Sequence, residues 1–158
     1  MTLSECYEAA ALAAASTTRD EVDVANAVLA LSERGASFCI VREGTKLVGF
    51  YAFGDVELFI GLGRIPALKI TAYKEGWPVN PMCSASHVYV HPDFQGQGIA
   101  VKMYHLKTKT CQELGYNSAA YLSDTKDIDG WLKRITPDAV IVQEEIETDG
   151  FRVAVASL

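Results

Sequence analysis

Gly96 and Gly98 stand two residues apart in the run Gln95-Gly96-Gln97-Gly98-Ile99-Ala100, after Val88-Tyr89-Val90 and before a helical pattern that starts at Ile99. The β-branched and aromatic residues read as the end of a strand, and Pro92 stops it by fixing φ and removing a donor. A glycine loop that opens a helix leaves backbone N–H groups unpaired, and without a Cβ it lets an oxyanion approach closely. The chemistry implied is retention of a phosphate. His87, just upstream, has a near-neutral reference pKa and can take up a proton directly or through water.

The type of phosphate is narrowed by what the loop lacks. A dinucleotide fingerprint needs a third glycine where Val101 stands, and no Gly-Lys-Ser/Thr follows for a nucleoside triphosphate. The run instead resembles the acetyl-CoA loop of the GCN5-related N-acetyltransferases (GNAT), which reads Gln or Arg, two residues, Gly, one residue, then Gly or Ala. Gln95 to Ala100 fills it position by position, and Val90-His91-Pro92-Asp93-Phe94 resembles that family's strand exit. Val41-Arg42-Glu43-Gly44-Thr45-Lys46-Leu47-Val48-Gly49-Phe50-Tyr51-Ala52-Phe53 also resembles its second and third strands, independently of the loop.

The resemblance implies an α/β fold: a central, mixed but mostly antiparallel twisted sheet flanked by helices, with the fourth and fifth strands splayed apart. It implies transfer of an acetyl group from acetyl-CoA to a primary amine, without a metal. The amides of Gln95, Gly96, Gln97, Gly98, Ile99 and Ala100 would hold the CoA pyrophosphate. Val88, Tyr89 and Val90 would pair with the pantetheine arm, with Val88 N–H polarising the thioester carbonyl. The chain departs from the family where a base and an acid are often found. Its fourth strand carries Ser86 and His87 and no carboxylate, so His87 is the candidate base, beside the alternative of a purely structural histidine. Trp131 and Leu132 occupy the region of the usual tyrosine acid, which leaves Tyr121 as the nearest substitute, with Tyr116 behind it, beside the reading of both as core residues. His91 and His105 read as structural, His105 on the solvent side of its helix.

The elements that position these groups follow from capping, periodicity and turn residues. Thr2-x-x-Glu5 and Thr18-x-x-Glu21 are capping-box patterns ahead of helices over about 3 to 15 and 19 to 34, the second stopped by Gly35. Leu3, Tyr7 and Leu12 call for cover on the first helix, and Val24, Val28 and Leu31 make a stripe on the second. Residues 37 to 42 and 47 to 53 read as a hairpin. Residues 55 to 81 form an insertion rich in Gly and Pro, with short strands expected over 56 to 60 and 68 to 73; it is either a lining for the acceptor site, to which Trp77 would contribute, or a surface extension. The strand-loop-helix unit spans 82 to 115: a central strand from Met82 to Val90, then a helix with Ile99, Met103, Leu106 and Leu114 as its apolar residues, Lys102, Lys107 and Lys109 between them, and Gly115 as its stop. A strand from Asn117 to Ser123, a short helix from Asp127 to Ile135 and a terminal pair, 139 to 146 and 151 to 156, complete one domain over 1 to 158, helical in residues 1 to 36.

The net charge of −6 argues against a nucleic-acid partner and suits a cationic acceptor. Asp124, Asp127 and Asp129, or Glu144, Glu145, Glu147 and Asp149, read as a solvated acidic face, beside the alternative of an acidic rim that draws in an ammonium. Cys6, Cys39, Cys83 and Cys111 have neither disulfide nor zinc spacing and read as buried thiols. No signal peptide or membrane span is legible, which points to the cytoplasm. The acceptor class, whether small amine, polyamine, aminoglycoside-like compound or protein amine, stays open, and the family allows a homodimer. The alternative reading is a GNAT-fold protein that binds CoA as a regulator or interaction module without turnover.

Overall fold

The structure is a computed structural model that describes residues 1–61, 81–123, 133, 146–148 and 151–158. The chain divides into two compact units, one of residues 1–53 and 86–107, the other of residues 54–85 and 108–158.

The first unit opens with α1 (Leu3–Ser16) and α2 (Glu21–Glu33). The α1 capping box forms as its sequence predicts: Glu5 N–H donates to Thr2 Oγ1 at 3.2 Å and Thr2 N–H donates to Glu5 Oε2 at 2.8 Å. The buried face of α1 is Cys6, Ala9, Ala10, Leu12 and Ala13: of the three large residues expected to need cover, Leu12 finds it, whereas Leu3 and Tyr7 are exposed. At α2 the cap moves from Thr18 to Asp20, whose carboxylate accepts from Val22 and Asp23 N–H; a carboxylate directly before the helix meets two orphan donors at once. Val24, Val28 and Leu31 are buried, as their spacing requires. Gly35, at φ +85°, ends α2 with a Schellman pair, Ala36 N–H to Leu31 O and Gly35 N–H to Ser32 O.

β1 (Ser37–Glu43) and β2 (Lys46–Asp55) form the expected antiparallel hairpin through Gly44-Thr45. Leu47 through Phe53 are buried without alternation, so β2 is covered on both faces. Strand order in this unit is β1-β2-β3, where β3 is Met82–Val90 and its residues from Ser86 onward belong here. His91 N–H donates to Val48 O at 2.9 Å, fastening the end of β3 to β2. A 3₁₀ turn (Pro92–Phe94) leads to the glycine loop and α4 (Ile99–Glu113).

In the second unit, residues 56 to 61 form a helix, α3 (Val56–Gly61), and not the short strand that their apolar run suggests. Val56 and Phe59 are buried at helical spacing, and Glu57 N–H donates to Asp55 Oδ1 at 2.9 Å, an N-terminal bond that a strand would not use. The strand over 68 to 73 lies outside the described residues. The start of β3 pairs in parallel with β4 (Ser118–Ser123) over Met82↔Ser118, Cys83↔Ala119 and Ser84↔Ala120, and Ser84 Oγ donates to Ala120 O at 3.0 Å. β4 pairs antiparallel with β6 (Phe151–Ser157), and β6 with β5 (Ile146–Thr148), giving the order β3-β4-β6-β5. The terminal pair is thus a hairpin, but Glu147 and Thr148, expected in the connection, pair within β5, and residues 139–145 lie outside the described residues. The helix expected over 127 to 135 lies outside them apart from Lys133, and so do Trp131 and Leu132.

α4 has the expected bounds but not the expected inner face. Met103, Tyr104, Lys107 and Cys111 are buried, while Leu106 is 52% and Leu114 62% exposed. Lys107, which the spacing places between the apolar residues, is 0% exposed, with its Nζ 4.9 Å from the Tyr104 ring centroid. A lysine stem fills that face as an aliphatic side chain would, and the aromatic face receives its charge. His105 is exposed, as expected.

Candidate functional site

Most of the sequence-predicted site lies in the first unit, along β3 from His87 to Val90 and in the loop that follows. Gln95 and Gln97 hold the loop against the strand exit: Gln95 Nε2 donates to Val90 O at 3.1 Å and Gln97 Nε2 donates to Asp93 O at 3.3 Å. Their side chains are therefore braces, which leaves their main chain as the part that could face an anion. His91 accepts from Asp93 N–H through Nδ1 and caps the 3₁₀ turn, a structural role in keeping with its position in the exit.

Gly96 and Gly98 both adopt left-handed backbone, φ +75° and +76°, and a Cβ built on either meets no atom within 4 Å. The space above the loop is open, and the glycines are required by conformation and not by crowding. The first intrahelical bond of α4 runs from Lys102 N–H to Gly98 O at 3.0 Å, so the amides of Ile99, Ala100 and Val101 precede the helical ladder. With the positive end of the helix dipole behind them and Lys102 exposed on the first turn, these groups fit an anionic phosphate. Beside the loop, a cavity of about 310 Å³ is lined by Val41, Glu43 and Val48 of the hairpin, Phe94 and Gln97, and Ile99 and Lys102 of α4.

His87 is the residue whose geometry the sequence does not announce. Its φ is +56°, in the left-handed region that few residues other than glycine adopt, and it is the one non-glycine residue with positive φ among those described. Such strain persists only when surrounding structure imposes it, and it concentrates at functional positions. The imidazole is half-buried; Nδ1 lies 2.6 Å from Ser86 Oγ, and the ring stands edge-on to Tyr89 at 6.1 Å. Beyond it Val88 is exposed, Tyr89 buried and Val90 half-buried. The Val90 carbonyl accepts from both Ser16 Oγ and Gln95 Nε2, so the end of this strand is fixed from two sides.

Tyr121 belongs to the second unit, where it is buried on β4 opposite Ala154 of β6. Tyr116 is half-buried in the same unit; burial raises its phenol pKa, and Asp55 and the thiols of Cys83 and Cys111 push in the same direction. The four cysteines are buried and free of disulfides, as their spacing suggests. Burial pushes the thiols of Cys6 and Cys39 above their ordinary value. Asp124, Asp127, Asp129, Glu144, Glu145, Asp149 and Trp77 lie outside the described residues, and of Glu147 only the backbone is described. Among the described residues no helix is long and apolar enough to cross a membrane, and no cluster of His, Cys, Asp or Glu is arranged to hold a metal ion.

A strand that leads through a glycine loop to a helix N-terminus, on a mixed sheet with flanking helices, defines an α/β acyltransferase type of fold. Residues 3–129 match the Acetyltransferase (GNAT) family, and the chain belongs to that family. The fold is shared with solved structures at low identity. The yncA protein of Salmonella typhimurium, solved with its cofactor acetyl-CoA, is 16% identical at a TM-score of 0.61, covering 100% of this chain and 90% of that one. The GNAT family N-acetyltransferase YhbS of Escherichia coli, in complex with CoA, is 16% identical at 0.63, covering 96% and 75%. The ribosomal-protein-S18-alanine N-acetyltransferase of Escherichia coli is 9% identical at 0.64, covering 100% and 89%. No curated protein matches the sequence.

Proposed function

We propose that this acetyltransferase binds acetyl-CoA at the Gln95–Ala100 loop and transfers the acetyl group to a primary amine. The observation that carries the reading is the paired left-handed conformation of Gly96 and Gly98, open on one side and directly ahead of the unpaired amides of α4. The cofactor-bound yncA and YhbS structures, which share the fold, support the same ligand. The negative net charge suits a cationic acceptor and not a nucleic acid, and the cytoplasm is the compartment we assign.

In the reaction, an amine that enters as ammonium gives up its proton to His87, directly or through water, because only the neutral nitrogen can attack. The nitrogen bonds to the thioester carbonyl carbon while charge builds on the carbonyl oxygen, where the Val88 N–H is the assigned donor. Collapse breaks the carbon–sulfur bond and leaves the amide as the nitrogen sheds its second proton. The thiolate takes up one proton, so that the one proton released in all is the one His87 passes to solvent. Tyr121 is the assigned proton donor to the thiolate, a role that rests on the chemistry of the phenol.

Calorimetric titration of acetyl-CoA into the wild type and into Gly98→Trp tests the cofactor site. Saturable binding by the wild type that the indole removes supports the reading; a wild type that ignores acetyl-CoA, CoA and longer acyl-CoAs sinks it. Turnover is then read over a panel of small amines, polyamines, aminoglycosides and peptides. Binding without transfer to any of them would leave a CoA-dependent regulator in place of an enzyme.

A further inference from the structure

Side chains of adjacent residues on a regular strand point to opposite faces of the sheet and cannot hydrogen-bond to one another. Ser86 and His87 are adjacent on β3, yet Ser86 Oγ and His87 Nδ1 lie 2.6 Å apart. The left-handed backbone of His87, φ +56°, breaks the alternation and brings both side chains to one side. The strained residue and the short contact are therefore one feature: the local distortion has a serine–imidazole pair as its product.

We infer that Ser86 is a positioning residue that fixes the tautomer and orientation of His87. The inference rests on the reading of His87 as the base, and that role sets the direction of the bond. A neutral imidazole that receives a proton on Nε2 must carry its own hydrogen on Nδ1, and Ser86 Oγ is the oxygen placed to accept it. Once Nε2 is protonated, Nδ1–H still donates to the same oxygen, so one contact selects the basic tautomer beforehand and satisfies the imidazolium afterward. Ser86 itself forms and breaks no covalent bond. A serine here stands where a carboxylate or carbonyl more often orients such an imidazole, and it does so without adding a negative charge.

The test is nitrogen NMR of the full-length ¹⁵N-histidine protein at about pH 8, where an unperturbed imidazole is neutral. The chain has 3 histidines, so single substitutions of His91 and His105 identify the His87 signals. The expected result is a pyrrole-type Nδ1 and a pyridine-type Nε2 in the wild type, reversal or averaging of the two in Ser86→Ala, and the wild-type pattern in Ser86→Thr, which keeps the hydroxyl. A pyrrole-type Nε2 in the wild type, or a pattern that Ser86→Ala leaves unchanged, overturns the inference. Turnover of His87→Gln on an amine accepted by the wild type reads the base role separately. If His87→Gln keeps full kcat, the base assignment falls, whatever tautomer the spectrum shows.

Discussion

A Cβ added to Gly49 of β2 would lie 3.0 Å from Cγ2 of Ile99, 3.1 Å from Sδ of Met103 and 3.2 Å from Cβ of Val41. Glycine at this position is what lets the first turn of α4 settle on the hairpin, and Ile99 is also the first helical residue after the Gln95–Gly98 loop. The seating of the helix and the placing of the loop are thereby coupled. Gly49→Ala is expected to cost about 1–3 kcal/mol through overpacking and to weaken acetyl-CoA binding in the same variant. Thermal melts and calorimetry check the two effects together; lost stability with unchanged affinity would separate them.

His87→Gly and His87→Ala both remove the imidazole but differ in what they leave at φ +56°. The glycine variant is expected to be more stable than the alanine variant by about 1 kcal/mol, because a Cβ is penalised in the left-handed region. Both are expected to lose at least about 100-fold in kcat if the base role holds. Chemical denaturation and steady-state rates on an accepted amine measure each part.

Lys107 buries its full length against Tyr104. Lys107→Ala removes both stem and charge and is expected to destabilise by about 2–4 kcal/mol, while Lys107→Met keeps most of the packing and loses less. Urea unfolding of the two variants resolves the ammonium from the stem. A methionine variant as stable as the wild type would show that the charge contributes nothing.

Hydrogen bonds from the Thr2 backbone and then the Thr2 side chain hold the Glu5 carboxyl below its ordinary 4.5. A carboxyl whose pKa is depressed by folding stabilises the protein fully above the unfolded value, and this contribution is withdrawn as pH falls through the lower folded value. Glu5→Gln is therefore expected to be less stable than the wild type at neutral pH. The difference in melting temperature should narrow as pH is brought down to about 3. A difference that holds constant across that range would assign the effect to packing.

All four thiols are expected to resist a water-soluble disulfide reagent in the native protein and to react together on unfolding, since burial both blocks access and, for Cys6 and Cys39, disfavours the thiolate. Rapid labelling of a single thiol in the native state would contradict this arrangement.

The sequence by itself determined the features whose causes lie within a few residues of one another. Thr2 and Glu5 cap α1 across one turn, Gly35 and Gly115 end helices with Schellman bonds, and Gly44 turns the hairpin. Gln95 to Ala100 carries the loop conformation in its own glycines. The tertiary structure decided what depends on the neighbour across the contact. Val56 to Gly61 is apolar enough for strand or helix, and an Asp55 cap with burial of Val56 and Phe59 settles it as helix. On α4, hydropathy favours Leu106 over Lys107 as the inward residue, but the face that meets the hairpin is set by Ile99 and Met103 packing over Gly49. From Met103 one helical turn leads to Lys107 and not to Leu106. The left-handed His87 and its bond to Ser86 leave no local signal, because strand alternation places the two side chains on opposite faces and only imposed strain brings them together.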